Sequence, residues 1–263
     1  LTTEKSLETI SYSFTNRVAL VTLNRPEVHN AFNEVMIAEL IEIFKKVSAD
    51  DVVRVIVLTG NGKSFSAGAD LNWMKKMINY SYEENLEDSL KLAELFHIMY
   101  SCPKPVIARV NGAAIGGGTG LVAVCDIAIA AENAKFSLSE VKLGLVPACI
   151  SPYVIRKVGE GRCREFFLTG ERLIAKRAME LGLVNQVVPL DELDQAVQEK
   201  ANQLISSGPK AIAMCKELLK NIPGMDFDKA KTYTADMIAR MRIGDEGQEG
   251  MNAFLEKRKP KWT

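Results

Sequence analysis

The sequence predicts an α/β fold with a mostly parallel sheet, closed by a helical C-terminal third. Three observations carry this. Over the first 150 residues, short β-branched runs alternate with stretches of helical periodicity, the pattern of strand–helix–strand crossover units. The strongest run is too apolar for an alternating, half-exposed strand, as expected of a strand covered on both faces. Beyond about residue 150 helical periodicity takes over, with Gly182, Gly208 and Gly244 as stops.

Segment 10–24 holds two strand-like stretches around Thr15-Asn16-Arg17, which is turn chemistry, and predicts a hairpin. Over 31–47, Met36, Leu40, Ile43, Phe44 and Val47 share one helical face, and Glu34, Glu39, Glu42 and Lys45 surround it. Residues 53–60 are β-branched, too short for most helices and too apolar for a half-exposed strand, so a buried parallel strand is expected. The pattern recurs with a helix over 89–100, a strand over 106–110, a glycine-rich turn, a helix near 117–124 and a strand over 126–131. Helices are then expected over 165–168, 175–181, 193–205, 209–219, 226–241 and 247–257. Asn221-Ile222-Pro223-Gly224-Met225 reads as a hinge. We divide the chain into a core, 1–205, and a C-terminal helical region, 206–263.

Composition narrows the function. The 263 residues allow one large domain or one with an appendage, at roughly 150 residues per domain. With 33 basic against 33 acidic side chains, no global charge favours nucleic acid or an anionic membrane. No apolar run reaches the ~18 residues of a membrane span, and residues 1–6 lack the basic start and apolar stretch of a signal peptide. The chain therefore reads as intracellular, with a cytoplasmic location expected. A start at Leu1 instead of Met is read as processing or trimming. Five scattered cysteines without CxxC spacing point to reduced thiols, and His29 and His97 stand too far apart for a histidine metal cluster.

Two glycine-containing segments could carry chemistry. Ser64-Phe65-Ser66-Ala67-Gly68-Ala69-Asp70-Leu71 follows the buried strand, and Asn111-Gly112-Ala113-Ala114-Ile115-Gly116-Gly117-Gly118-Thr119-Gly120 follows another strand and opens a helix. Small residues let a ligand approach the backbone, and free N–H groups at a helix start attract negative charge. Tight turns and close helix–sheet packing would explain either loop alone. The second fits neither the GxGxxG dinucleotide fingerprint nor a phosphate-binding P-loop.

These segments, together with Val21-Thr22-Leu23-Asn24-Arg25-Pro26, His29-Asn30-Ala31, Cys125-Asp126, residues 136–147, Gly247-Gln248-Glu249-Gly250 and residues 253–258, resemble the enoyl-CoA hydratase/isomerase (crotonase) superfamily from end to end. The resemblance implies a spiral of ββα units, a C-terminal helical trimerisation region, and trimers that pair into hexamers. It also implies an acyl thioester of coenzyme A as substrate and no separate cofactor. The backbone N–H groups of Ala69 and Gly117 would form an oxyanion hole for the thioester enolate, each donor contributing roughly 3–4 kcal/mol. Glu140 would move a proton at the carbon next to the carbonyl. His29, Asn30, Ala31, Ala67, Asp70, Leu71 and Asn72 would line the coenzyme A channel. Gly116, Gly120, Pro147 and Trp73, with Met74 and Met77, would surround the acyl group, and Phe254 and Lys257 would reach the nucleotide end in the same or a neighbouring subunit.

One departure matters. Typical hydratases of this superfamily carry a second glutamate two residues after the triple glycine, where this chain has Gly120. Isomerases of the superfamily use one glutamate to carry a proton between carbons. Yet Asp70-Leu71-Asn72-Trp73-Met74, Ser139-Glu140-Val141, 147–152 and 239–243 resemble bacterial methylglutaconyl-CoA hydratases, which share the glycine. Hydration of a branched or carboxylated enoyl-CoA is thus the leading expectation, and a one-glutamate isomerase is its rival. Some relatives of that subgroup bind RNA, but zero net charge and the lack of interleaved aromatics argue against nucleic acid. Cys149 lacks any histidine or carboxylate spacing that would activate it, so it reads as a packing residue.

Overall fold

In the computed structural model, which describes residues 3–262, the chain begins with three antiparallel strands, β1 (Thr3–Ser6), β2 (Ile10–Thr15) and β3 (Val18–Leu23). Asn16 and Arg17 both take left-handed φ, 48° and 68°, the backbone a two-residue hairpin needs. Helix α1 (Glu34–Ala49) starts three residues later than its periodicity suggests, because the Asn33 side chain accepts from Met36 N–H as its cap.

Thereafter a unit repeats: a long strand, a short strand, then helix. It appears as β4 (Val55–Gly60), β5 (Ser64–Ser66), α2 (Leu71–Met77) and α3 (Tyr82–Ser101). It returns as β6 (Val106–Val110), β7 (Ala113–Ile115) and α4 (Gly117–Val124), and again as β8 (Ile127–Ala131), β9 (Lys135–Ser137) and, after a 3-10 turn over Ser139–Leu143, α5 (Ser151–Val158). Next come α6 (Glu160–Thr169), β10 (Arg172–Ile174), α7 (Ala175–Glu180), β11 (Gln186–Val188) and α8 (Leu193–Ile205). Three helices finish the chain: α9 (Pro209–Asn221), α10 (Phe227–Ile243) and α11 (Asp245–Leu255). Helix α3 begins seven residues ahead of expectation, set by a reciprocal cap between Ser81 and Glu84 in a stretch whose exposed residues hide the periodicity.

The long strands, joined at the edge by three-residue β11, form a seven-stranded sheet in the order β1-β2-β3-β4-β6-β8-β11, parallel from β3 onward, in line with the mostly parallel sheet expected. The short strands form a second sheet, β10-β9-β7-β5, in which β5, β7 and β9 are parallel. This second sheet has no counterpart in the sequence reading, since three-residue strands are too short to show a period. Every residue of β4 is buried. Helix α4, apolar on all sides, lies in the interior, and α8 covers the opposite face of the large sheet through Leu193, Ala196 and Val197.

Helix α9 returns to the core, where Lys216 Nζ meets Asp126 Oδ2 at 2.6 Å and the Lys104 carbonyl at 3.0 Å. The stretch read as a hinge is a 3-10 turn, Ile222–Gly224, between α9 and α10. Among the described residues, no helix is long and apolar enough to cross a membrane.

Candidate active site

Three adjacent parallel strands of the small sheet release the chain at the same edge. β5 ends at Ser66 and leads into Ala67-Gly68-Ala69; β7 ends at Ile115 and leads into Gly116-Gly117; β9 ends at Ser137, three residues before Glu140. Segments far apart in sequence meet at the carboxyl edge of a parallel sheet, where α/β proteins build their sites.

The first loop is locked onto residues 29–32. Ala67 N–H donates to the His29 carbonyl (2.9 Å), Phe32 N–H to the Gly68 carbonyl (2.6 Å) and Asp70 N–H to the Phe32 carbonyl (2.8 Å). Ala69 is the residue bridged to Phe32, and the bonds on either side of it turn its own N–H the other way. Gly68 has φ +89°, and a side chain there would meet the Ile115 carbonyl oxygen at 2.8 Å. Arg25 clamps the arrangement, with Nη2 2.9 Å from Asp70 Oδ2 and Nη1 donating to the Ala31 carbonyl at 2.7 Å. The same Asp70 caps α2 by accepting from Asn72 N–H (2.7 Å) and Trp73 N–H (3.3 Å). Burial alone would raise the Asp70 carboxyl, but these bonds and Arg25 hold it below its ordinary value.

The second loop ends at Gly116, the residue before α4. Its N–H donates to the Ser137 carbonyl (2.8 Å) and its carbonyl accepts from Gly120 N–H (3.1 Å), in a φ +53°, ψ −121° conformation that only glycine adopts readily. Gly117 is then the first helical residue, whose N–H has no partner within its own helix. Among the described residues, neither the Ala69 nor the Gly117 N–H has a hydrogen-bond partner.

Glu140 completes the edge. A methyl group placed on Gly116 would lie 3.1 Å from Glu140 Oε1, so the carboxyl sits directly against the second loop. Its Oε2 is buried and is the one side-chain oxygen or nitrogen among the described residues that is buried without a partner. Burial pushes the carboxyl above its ordinary value, against the opposing pull of a hydrogen bond from its own N–H. A carboxyl that holds its proton more tightly than usual, beside two unused N–H donors, can deliver or collect a proton next to an oxygen that gains charge.

The other residues expected in the site divide. His29, Ala67, Leu71 and Asn72 are exposed at the rim, whereas Ala31 and Pro147 are buried. Asn30 and Asp70 were expected to line the coenzyme A channel and Trp73 to surround the acyl group, and all three are buried in the structure. Asn30 is 0% exposed, donating to the carbonyls of Asn61 and Ser64 and accepting from Arg25 N–H, so its amide fastens the loop. Trp73 is 3% exposed, its indole N–H bonded to Asp88. Gly120 is also covered: a side chain there would meet Ile150 Cγ2 at 2.2 Å and Phe96 at 3.2 Å. Phe254, in the last turn of α11, and Lys257, just beyond it, are exposed, and α11 packs on α9 and α10. Cys149 is half-buried with its thiol pushed up by burial, unsuited to a nucleophile. Sequence reasoning missed Arg25, Phe96 and Ile150; only Arg25 left a signal, as an isolated charge before Pro26 between apolar segments.

Residues 13–263 match the enoyl-CoA hydratase/isomerase family. An enoyl-CoA hydratase from Shewanella pealeana superposes with a TM-score of 0.95 at 45% identity, covering 97% of this chain and 96% of that one. A crotonyl-CoA hydratase of Syntrophomonas wolfei is 37% identical over 92% of this chain and 93% of its own length. A 2,3-dehydroadipyl-CoA hydratase of Escherichia coli is 33% identical, over 93% and 94% respectively.

Proposed function

The chain belongs to the enoyl-CoA hydratase/isomerase family, and from that premise we propose that it adds water to a branched or carboxylated 2-enoyl-CoA such as 3-methylglutaconyl-CoA, with Glu140 as its proton donor. The observation that carries this is the unpaired, buried Glu140 carboxyl lying against Gly116, next to the unused N–H groups of Ala69 and Gly117. The thioester oxygen would accept from both N–H groups, so negative charge develops where two fixed donors already point. Protonated Glu140 gives its proton to the α carbon while water adds its hydroxyl to the β carbon. The second proton of that water returns Glu140 to its acid form, so the cycle closes with one carboxyl.

A carboxylated acyl chain is supported by the relative that acts on 2,3-dehydroadipyl-CoA and by the methylglutaconyl-type motifs around Asn72, Glu140 and Pro147. The exposed rim of His29, Ala67, Leu71 and Asn72 is assigned to the coenzyme A moiety, which as part of the substrate leaves no separate cofactor to bind. A substrate carrying coenzyme A fits a cytoplasmic enzyme. The exposed apolar side chains of the C-terminal region, Phe227, Ile243 and Phe254 among them, fit self-association into trimers or hexamers, with Phe254 and Lys257 serving a neighbour's site.

A second reading, double-bond isomerisation, is favoured by one observation: Ile150 and Phe96 fill the space in which a carboxylate at position 120 would stand. Mass spectrometry of products separates the two. Wild type should add one water to 3-methylglutaconyl-CoA, and Glu140→Gln should not. Conversion of a 3-enoyl-CoA to its 2-enoyl isomer at unchanged mass, with no hydration of any 2-enoyl-CoA, would establish the isomerase instead.

A further inference from the structure

Helix α4 offers Gly117 N–H at one end, and at its other end it meets a charge that the proposed chemistry leaves unused. The last carbonyls of a helix have no intrahelical partner and carry the negative end of its dipole. In α4 these groups are met by its own cap residue, Cys125, and by a side chain from the next helix. Cys125 Sγ turns back to the Leu121 carbonyl at 3.1 Å. Lys157 Nζ, arriving from α5, donates to the Val122 carbonyl at 3.2 Å and to the Cys125 carbonyl at 2.6 Å. The ammonium therefore lies on the carboxyl end of the helix whose amino end points at the developing oxyanion. Burial lowers its pKa, and the Cys125 thiol and Asp126 carboxylate beside it oppose that.

We propose that Lys157 is a positioning residue for the oxyanion hole, holding α4 at its carboxyl end and adding a positive charge on the helix axis that strengthens the Gly117 donor. This rests on the assignment of Gly117 as a thioester donor. The effect has a physical scale. Eight residues of helix span about 12 Å, and at an effective dielectric constant of about 20, unit charges that far apart attract by close to the free energy of a tenfold rate change. The path between them is dry, since Gly118 through Cys125 are all buried. A cation here acts on the transition state, where the oxygen is charged, more than on the ground state, so it should appear in kcat before KM.

The test uses full-length protein carrying Lys157→Met, which removes both charge and donors, and Lys157→Gln, which keeps donors and removes the charge. A chromophoric enoyl thioester, 4-(dimethylamino)cinnamoyl-CoA, reads the donors directly, because its absorption moves to the red as its carbonyl is polarised, with or without turnover. Both variants should show a smaller red shift than wild type and a kcat on the order of tenfold lower, with KM within about twofold. A wild-type red shift and kcat in either folded variant, or a rise in KM alone, would overturn the proposal. So would failure of both variants to fold, because the ammonium would then serve the core and not the site. Absence of any red shift in wild type would instead refute the Gly117 assignment beneath it.

Discussion

Glu140 stores a conflict between stability and chemistry. Its carboxyl is held without a partner for Oε2, and burial raises its pKa. A carboxyl whose folded pKa lies above its unfolded value favours the folded state least when it is ionised. Stability is therefore lost as pH rises from the unfolded toward and through the folded pKa. We expect Glu140→Gln to abolish most turnover, about 10²–10⁴-fold, yet to stabilise the fold at pH 8 by up to ~1 kcal/mol, a figure kept small because solvent screens a partly exposed group. Urea unfolding at pH 8 and again below pH 4 checks this, since the gain should vanish once wild-type Glu140 is protonated in both states. Gly120 makes a separate case. Gly120→Glu alone should cost about 1–3 kcal/mol by overpacking against Ile150 and Phe96. In an Ile150→Ala background that added cost should shrink, and a double-mutant cycle on denaturation midpoints measures the coupling. Purely additive costs would mean that the two side chains do not compete for one space.

At the scale of elements, the candidate site depends on loops tied down by buried side chains. Asp70 caps α2, pairs with Arg25 and fixes the chain next to Ala69. We expect Asp70→Ala to destabilise the protein by about 2 kcal/mol, combining a lost cap with an Arg25 left unpaired, and to lower kcat as Ala69 loses its orientation. The carboxyl is depressed in the folded state, so its contribution is present above the unfolded pKa and fades as pH falls through the folded one. Thermal melts should show the gap between variant and wild type closing in acid. The small sheet belongs to this scale too. Its three parallel strands hold only three residues each, and their pairing rests on the larger sheet and α4 that flank them.

For the whole molecule, the C-terminal helices present apolar side chains that the chain itself leaves uncovered: Phe227 is 94%, Ile243 80% and Phe254 83% exposed. Large apolar side chains exposed together in one region mark surfaces that associate. Sedimentation equilibrium should give a mass of three or six times the 29.0 kDa chain. A monomer that hydrates a thioester would show that Phe254 and Lys257 serve no neighbour.

What the amino-acid sequence determined by itself follows from local physics. The Asn16-Arg17 hairpin, the buried strand ending at Gly60, the helix over 193–205 and the parallel order of the large sheet were legible from turn chemistry and apolar period, because those signals act within a few residues. Ala69, Gly117 and Glu140 were singled out only through family resemblance, since a backbone donor leaves no mark in a sequence and a lone glutamate resembles any surface carboxylate. The tertiary structure decided the rest. Short strands without a period became a second sheet that sets three distant segments at one edge. Asn30 and Asp70, polar residues inside the site's own motifs, turned inward because the buried backbone groups beside them must be satisfied, and Trp73 turned inward with its indole N–H on Asp88. The space beside Gly120 went to Ile150, thirty residues on, and no reading along the chain could have placed that side chain there.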